Sequence, residues 1–153
     1  MAESGNIGPL KTLLGNTPGV HGIADSGGLL GPGESVTVTV KSMQGNDRIS
    51  LVGMLIPTND SFVGLNNVRA AQNHRPVTYT APAYDAGTET NDELCASIPG
   101  PVCGGAALSP SDDGEGYVHI SAGIFGIGDL PEMADRDWRN PVARINVRRV
   151  VRR

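Results

Sequence analysis

Carboxylates are the residues of this sequence best placed to do chemistry. Asp60 closes the turn Pro57-Thr58-Asn59-Asp60-Ser61, directly after an apolar run. A second loop, from Tyr84 to Glu93, carries Asp85, Glu89, Asp92 and Glu93, four acids within nine residues. Acids gathered on loops at one end of a β-fold repel one another unless water or a cation separates them. Calcium suits such a cluster, since it takes roughly six to eight oxygens from carboxylates, carbonyls and water without strict angles. The spacing is not that of an EF-hand, because Gly87 and Glu89 stand where that loop, counted from Asp85, places Asp or Asn. The competing reading is a solvated acidic loop that holds nothing.

The other reactive side chains read more plainly. Cys95 and Cys103 bracket Ala-Ser-Ile-Pro-Gly-Pro-Val, with no CxxC spacing and no His between them, which argues against a metal pair. The Pro99-Gly100-Pro101 turn can bring the two sulfurs together. A disulfide is therefore expected over two separate buried thiols, and with it an oxidising compartment. His21, Asp25 and Ser26 supply the three residue types of a hydrolytic triad, but they are compressed into one Gly-rich loop and read as that loop. His119 falls on an expected strand, where a single His more often packs or hydrogen-bonds than ligates, and His74 has no evident partner. Asn59-Asp60-Ser61 fits a glycosylation sequon, although a glycan there would obstruct a neighbouring metal ligand. No nucleophile and base stand together, and paired acids cleave glycosides only across a cleft, so no enzymatic activity is expected.

The elements that must hold these residues are short. The 153 residues include 21 Gly and 11 Pro, which excludes long helices and coiled coils. Twelve basic against sixteen acidic residues give a net charge of −4, unsuited to general nucleic-acid binding. No apolar run approaches a membrane span. Met1-Ala2-Glu3-Ser4-Gly5-Asn6 lacks the layout of a secretory leader, so a secreted form of this sequence would have to draw its signal from elsewhere. A short helix is expected at Pro9–Gly15, with Pro near its start and Gly at its end. Strands are expected at Ser35–Lys41, where Val36, Val38 and Val40 alternate with Thr37 and Thr39, and at Arg48–Ile56, whose two apolar faces suggest a central position. A hairpin turn at Gly45-Asn46-Asp47 joins them. Further strands are expected at Phe62–Leu65, Val77–Ala81, Gly116–Ile120 and Ala143–Val151. Trp138 reads as a core plug before the last strand, flanked by Asp137 and Arg139 as anchors. Many short strands between Gly/Pro turns predict an all-β fold, an antiparallel β-sandwich with one or two short helices. The basic run Arg144, Arg148, Arg149, Arg152 and Arg153 reads as a solvated edge, or as a surface that docks onto an acidic protein, polysaccharide or subunit.

Several blocks of the chain together resemble the spondin domain, the module of F-spondin, mindin and many secreted microbial proteins. They are Leu51-Val52-Gly53-Met54-Leu55-Ile56-Pro57-Thr58-Asn59-Asp60-Ser61-Phe62-Val63-Gly64-Leu65, then Ala81-Pro82-Ala83-Tyr84-Asp85-Ala86-Gly87-Thr88-Glu89, and Asp137-Trp138-Arg139-Asn140-Pro141-Val142-Ala143-Arg144. The microbial members share also Gly116-Tyr117-Val118-His119-Ile120 and Gly126-Ile127-Gly128-Asp129-Leu130. The likeness runs from about Leu13 to Val147, leaving residues 1–12 as an N-terminal extension before a domain of residues 13–153. It implies a C2-like sandwich with calcium or a similar divalent cation at one end, ligated by Asp60 and Asp85. The family's further acid falls near Thr39 or Lys41, so Asp47, Glu89, Asp92 or Glu93 must stand in for it. The long strand and helical segment with which the family's domain begins have no counterpart before Leu13, so the resemblance implies either that the sequence starts partway into the domain or that a sheet edge lies open to a strand from another copy or a partner.

The expectation from all of this is a secreted calcium-binding module of adhesion, extracellular matrix or cell-surface assembly, with a protein or polysaccharide partner. The alternative is a subunit of an extracellular filament assembled by strand addition.

Overall fold

A computed structural model describes residues 1–43, 45–105, 108, 113–130 and 137–150. In it the chain forms one helix, α1 (Gly8–Gly15), and six strands: β1 (Arg48–Met54), β2 (Ser61–Arg69), β3 (Val77–Ala81), β4 (Ala83–Asp85), β5 (His119–Ile120) and β6 (Ala143–Val147). The contacts divide it into two compact units, Ile7–Asp47 and the remainder.

In the Ile7–Asp47 unit Pro9 lies in the first turn of α1, where a missing N–H costs nothing. Lys11 Nζ reaches the Asp25 carboxylate at 2.8 Å. That bond, followed by the Gly27 amide, holds the Asp25 carboxyl below its ordinary range. Asp25 is thus tied to α1 through Lys11 and to its own loop through the Gly27 amide. The segment Ser35–Lys41 corrects the expectation of a strand: it joins no ladder among the described residues. Val36, Val38 and Val40 are 45%, 41% and 42% exposed. Alternation marks a segment that suits a half-buried pleat, but only a pairing partner makes it a strand. Lys41 passes close to Gly22, where a Cβ would stand 2.5 Å from the Lys41 carbonyl oxygen, so only glycine fits. Asn46 N donates to Met43 O at 3.0 Å, closing the turn expected around Gly45.

The second unit is all-β and antiparallel. One sheet has the order β1-β2-β4-β5, the other pairs β3 with β6. The chain crosses from one sheet to the other through a single residue, Pro82, between fully buried Ala81 and Ala83. Proline has no N–H to continue a ladder, so pairing breaks there. The Val142 amide donates to Ala81 O, and the Asn140 side chain accepts from the Ala83 amide, sealing the corner. β1 stands at an end of its sheet, with Leu51 and Val52 exposed, which corrects the central position expected from its two apolar faces. A bulge between Ile49 and Leu51 is explained by Ser50, whose hydroxyl accepts the Asn67 amide and bonds Asn66. β2 is longer than expected, whereas β5 is shorter: Tyr117 and Val118 lie outside it and face solvent. β6 ends at Val147, and residues 151–153 lie outside the described ones. Trp138 is half-buried against an open groove shared with Phe125 and Arg139, rather than plugging the core. Asp137 does anchor this turn, pairing with Arg139 and accepting the Ile124 amide.

Cys95 and Cys103 form the expected disulfide, with Cα atoms 4.7 Å apart. The loop that it closes holds Ile98, which is fully buried. Among the described residues no helix is long and apolar enough to cross a membrane. The core itself is unusual in composition. Its largest fully buried side chains are Ile98 and Leu130, followed by three carboxylates: Glu89, Asp60 and Asp85.

Candidate metal centre

Strand register brings the chemistry together. Ser61 of β2 pairs with Asp85 of β4, and Asp85 pairs with His119 of β5. Asp60, Asp85 and His119 therefore sit at the neighbouring ends of three adjacent strands. Ser61 at the start of β2 reaches across β4 to Ser121, just past the far end of β5, through a 2.8 Å hydroxyl contact. The close approach of the β5 segment depends on Gly87. Its φ is +66°, and a Cβ there would lie 2.3 Å from the Tyr117 carbonyl oxygen.

His119 is oriented by its own strand. Its Nδ1–H donates to the Ile120 carbonyl at 3.0 Å, which in the neutral ring leaves the Nε2 lone pair bare. Nε2 is buried and makes no hydrogen bond. It lies 3.6 Å from Asp85 Oδ1 and 3.7 Å from Glu115 Oε2. One ligand atom from each of Asp85, Glu115 and His119 falls within 4.8 Å of the others, so this group could hold a metal ion. Outer contacts steady it, as they do in metal sites generally. Asp85 Oδ1 accepts the Gly87 amide and its Oδ2 accepts Asn91 Nδ2, both at 2.8 Å.

Asp60 stands behind Asp85 and is fully buried. Its Oδ2 accepts three bonds, from the Thr88 amide at 2.7 Å, the Thr88 hydroxyl at 3.1 Å and the Glu89 amide at 3.0 Å. Its Oδ1 is buried with no hydrogen-bond partner. A bare carboxylate oxygen in the interior is expensive unless a proton or a cation meets it. The acids of the second loop divide by role. Glu89 is buried beside the Asp60 contacts. Asp92 Oδ1 accepts Asn59 Nδ2 and the Leu94 amide, which caps a turn. Glu93 Oε1 and Oε2 accept the Phe125 and Ile127 amides at 2.6 and 2.7 Å, clamping a loop. Asn59, of the sequon, is itself buried and bonded on both sides, to Asp92 and to the Glu93 amide. Asp47 belongs to the other unit. Sequence reasoning missed Glu115 and set His119 aside. Their i, i+4 spacing before a strand was the available signal.

The electrostatics carry a pH signature. Burial pushes the Asp85 carboxyl above its ordinary 3.8, the Gly87 amide and Asn91 oppose this, and the Asp60 charge adds to the rise. The bond to Ile120, then the charges of Asp85 and Glu115, raise His119 above its ordinary 6.5, with burial working against them. Both groups bind protons more tightly when folded. Their contribution is complete below the unfolded values and fades as pH rises through the folded ones. In chelator, stability should thus fall as pH rises above the ordinary 3.8 for Asp85 and above the ordinary 6.5 for His119, as these two groups lose their protons. A cation replaces the protons, so saturating it should flatten or reverse that slope. Urea midpoints across pH, with and without EDTA, measure both; a chelated protein that gains stability with pH contradicts the assignment.

The chain matches no protein-family model, no curated protein and no solved structure.

Proposed function

We propose that this chain is a secreted, non-enzymatic β-module of spondin type, in which a divalent cation braces the strand ends and loops around Asp60 and Asp85. The braced end then serves as a rigid platform in adhesion, extracellular matrix or cell-surface assembly. The observation that carries the reading is the bare, fully buried Oδ1 of Asp60, whose carboxylate lies near enough to the second buried carboxylate, Asp85, to repel it. A folded protein concentrates such like charges only where something positive offsets them. In this reading Glu89 contributes to the shell, while Asp92 and Glu93, whose carboxylates take hydrogen bonds from neighbouring loops, support it from outside. The disulfide agrees with an oxidising exterior. The resemblance implies calcium, and extracellular modules bind it typically at about 0.1–1 mM, a level that an exterior site meets.

The test is thermal unfolding of the chelator-stripped protein with Ca2+, Mg2+, Mn2+ or Zn2+ added singly. A ligand selective for the folded state raises the midpoint, by about 2.7 kcal/mol of stability at a hundredfold excess over its Kd. The midpoint should rise with at least one cation and return with EDTA. No shift with any of them would refute the reading.

One observation favours a second reading, a filament subunit joined by strand addition. Val36, Val38 and Val40 alternate like a strand yet stay exposed and unpaired among the described residues. Such a segment is a template for another chain. Light scattering that grows with concentration, and survives EDTA, would support it.

A further inference from the structure

We infer that the cation of this site is a zinc-like first-row ion, bound directly by His119 Nε2 together with the carboxylates of Asp85 and Glu115. This deepens the proposed cation-braced module and rests on it. The imidazole makes the choice. Calcium and magnesium take oxygen donors almost exclusively, while Zn2+ and its neighbours favour imidazole nitrogen mixed with carboxylate. The Ile120 carbonyl holds Nδ1–H, so in the neutral ring the nitrogen aimed at the two acids is the one with the lone pair, and the ion takes the place of the proton that would otherwise pair it with them. Its separations of 3.6 and 3.7 Å from the two carboxylates are close to the roughly 3.3–3.4 Å between ligands of a tetrahedral ion bonded at about 2.0–2.1 Å.

The oxygen supply points the same way. A calcium shell needs roughly six to eight donors, and here many lone pairs are already spent. Both Asp85 oxygens accept N–H bonds, and Asp60 Oδ2 accepts three. A small ion needs only three protein ligands and one water. The second carboxylate of the buried pair, Asp60 with its bare Oδ1, adds negative charge behind the site without having to enter it. The outer bonds, Nδ1–H to Ile120 and Asn91 to Asp85, are those that orient ligands in zinc sites.

Calorimetric titration of the stripped, full-length chain with ZnCl2 and separately with CaCl2 tests this, with Co2+ absorption as a reporter of coordination. Zinc should bind at one-to-one stoichiometry and more tightly than calcium, and cobalt should give the intense visible bands of a four-coordinate N/O site. His119→Gln should weaken zinc by at least about 100-fold, beyond the ~10–100-fold cost of losing an outer partner. Because that change also touches β5, Glu115→Gln is the second variant: Glu115 is exposed and its substitution leaves the ladder alone, yet zinc affinity should again fall. Tighter calcium binding, or zinc affinity unchanged in both variants, overturns the inference while leaving the cation-braced module standing. Binding of neither ion overturns both.

Discussion

Glu93→Ala is expected to lower the free energy of unfolding by about 3–5 kcal/mol, from two charge-assisted bonds at about 1.5–3 kcal/mol each with some recovery by water. Glu93 is buried, and its carboxylate accepts the Phe125 and Ile127 amides, at 2.6 and 2.7 Å, with no other acceptor for them among the described residues. Its backbone works too. The Glu93 amide donates to Asn59, and its carbonyl accepts the Asp129 amide. The residue has a φ of +57°, a left-handed conformation that a turn must enforce. Three loops therefore meet at one residue. Asp129 extends the junction to the disulfide loop by accepting the Cys95 amide. Glu93→Gln separates charge from shape. It keeps one acceptor but points an NH2 group at the other amide, so its cost should fall between wild type and alanine. Urea denaturation of the three proteins reads this directly. Losses below about 1 kcal/mol for both variants would show that the 125–127 loop is held by something else.

Asp60 should show the opposite logic, with two substitutions that move stability and cation response independently. Asp60→Ala removes the acceptor of the Thr88 and Glu89 amides and should cost about 2–4 kcal/mol. Asp60→Asn keeps an oxygen for those donors and deletes the negative charge. In chelator it removes the repulsion on Asp85, so its cost should be under about 1 kcal/mol, or its sign should reverse. The gain that a cation brings should nevertheless shrink sharply in Asp60→Asn, because the charge that the cation offsets is gone. Unfolding midpoints in EDTA and in saturating cation supply both numbers. An Asn variant that loses as much stability as Ala in EDTA, yet keeps the full cation gain, would make Asp60 a structural acceptor alone.

The two acids illustrate why a carboxylate's role is so poorly written in one dimension. Asp60, Asp85, Glu89, Asp92 and Glu93 are alike in sequence, acids set among turn-forming residues. Only the fold decides whose lone pairs meet amides. Glu93 spends both oxygens on a neighbouring loop, Asp92 caps a turn, and Asp60 keeps one oxygen bare.

Local chemistry was enough for much else. The Gly and Pro content limits element length, so the short helix and the all-β, antiparallel class follow from composition and alternation. The 77–81 strand was legible to the residue, because its Val, Thr and Tyr alternate between clear breakers. The cystine followed from a turn between two nearby cysteines. These are short-range facts, set by φ/ψ preference and by chain that need not travel far.

Pairing and burial are long-range, and there the tertiary structure decided. Whether β1 is central or at an end depends on which strand lies beside it, not on its own apolar faces. Val36 to Val40 have every mark of a strand except a partner. Pro82 becomes the crossing between sheets only because Ala81 and Ala83 join different ladders. Above all, the register that sets Asp85 opposite His119 joins residues 34 positions apart and draws in Glu115. Residue types alone marked where negative charge would collect. The geometry of three adjacent strand ends determined which nitrogen faces it, because a lone pair acquires a direction only when its ring is held in place.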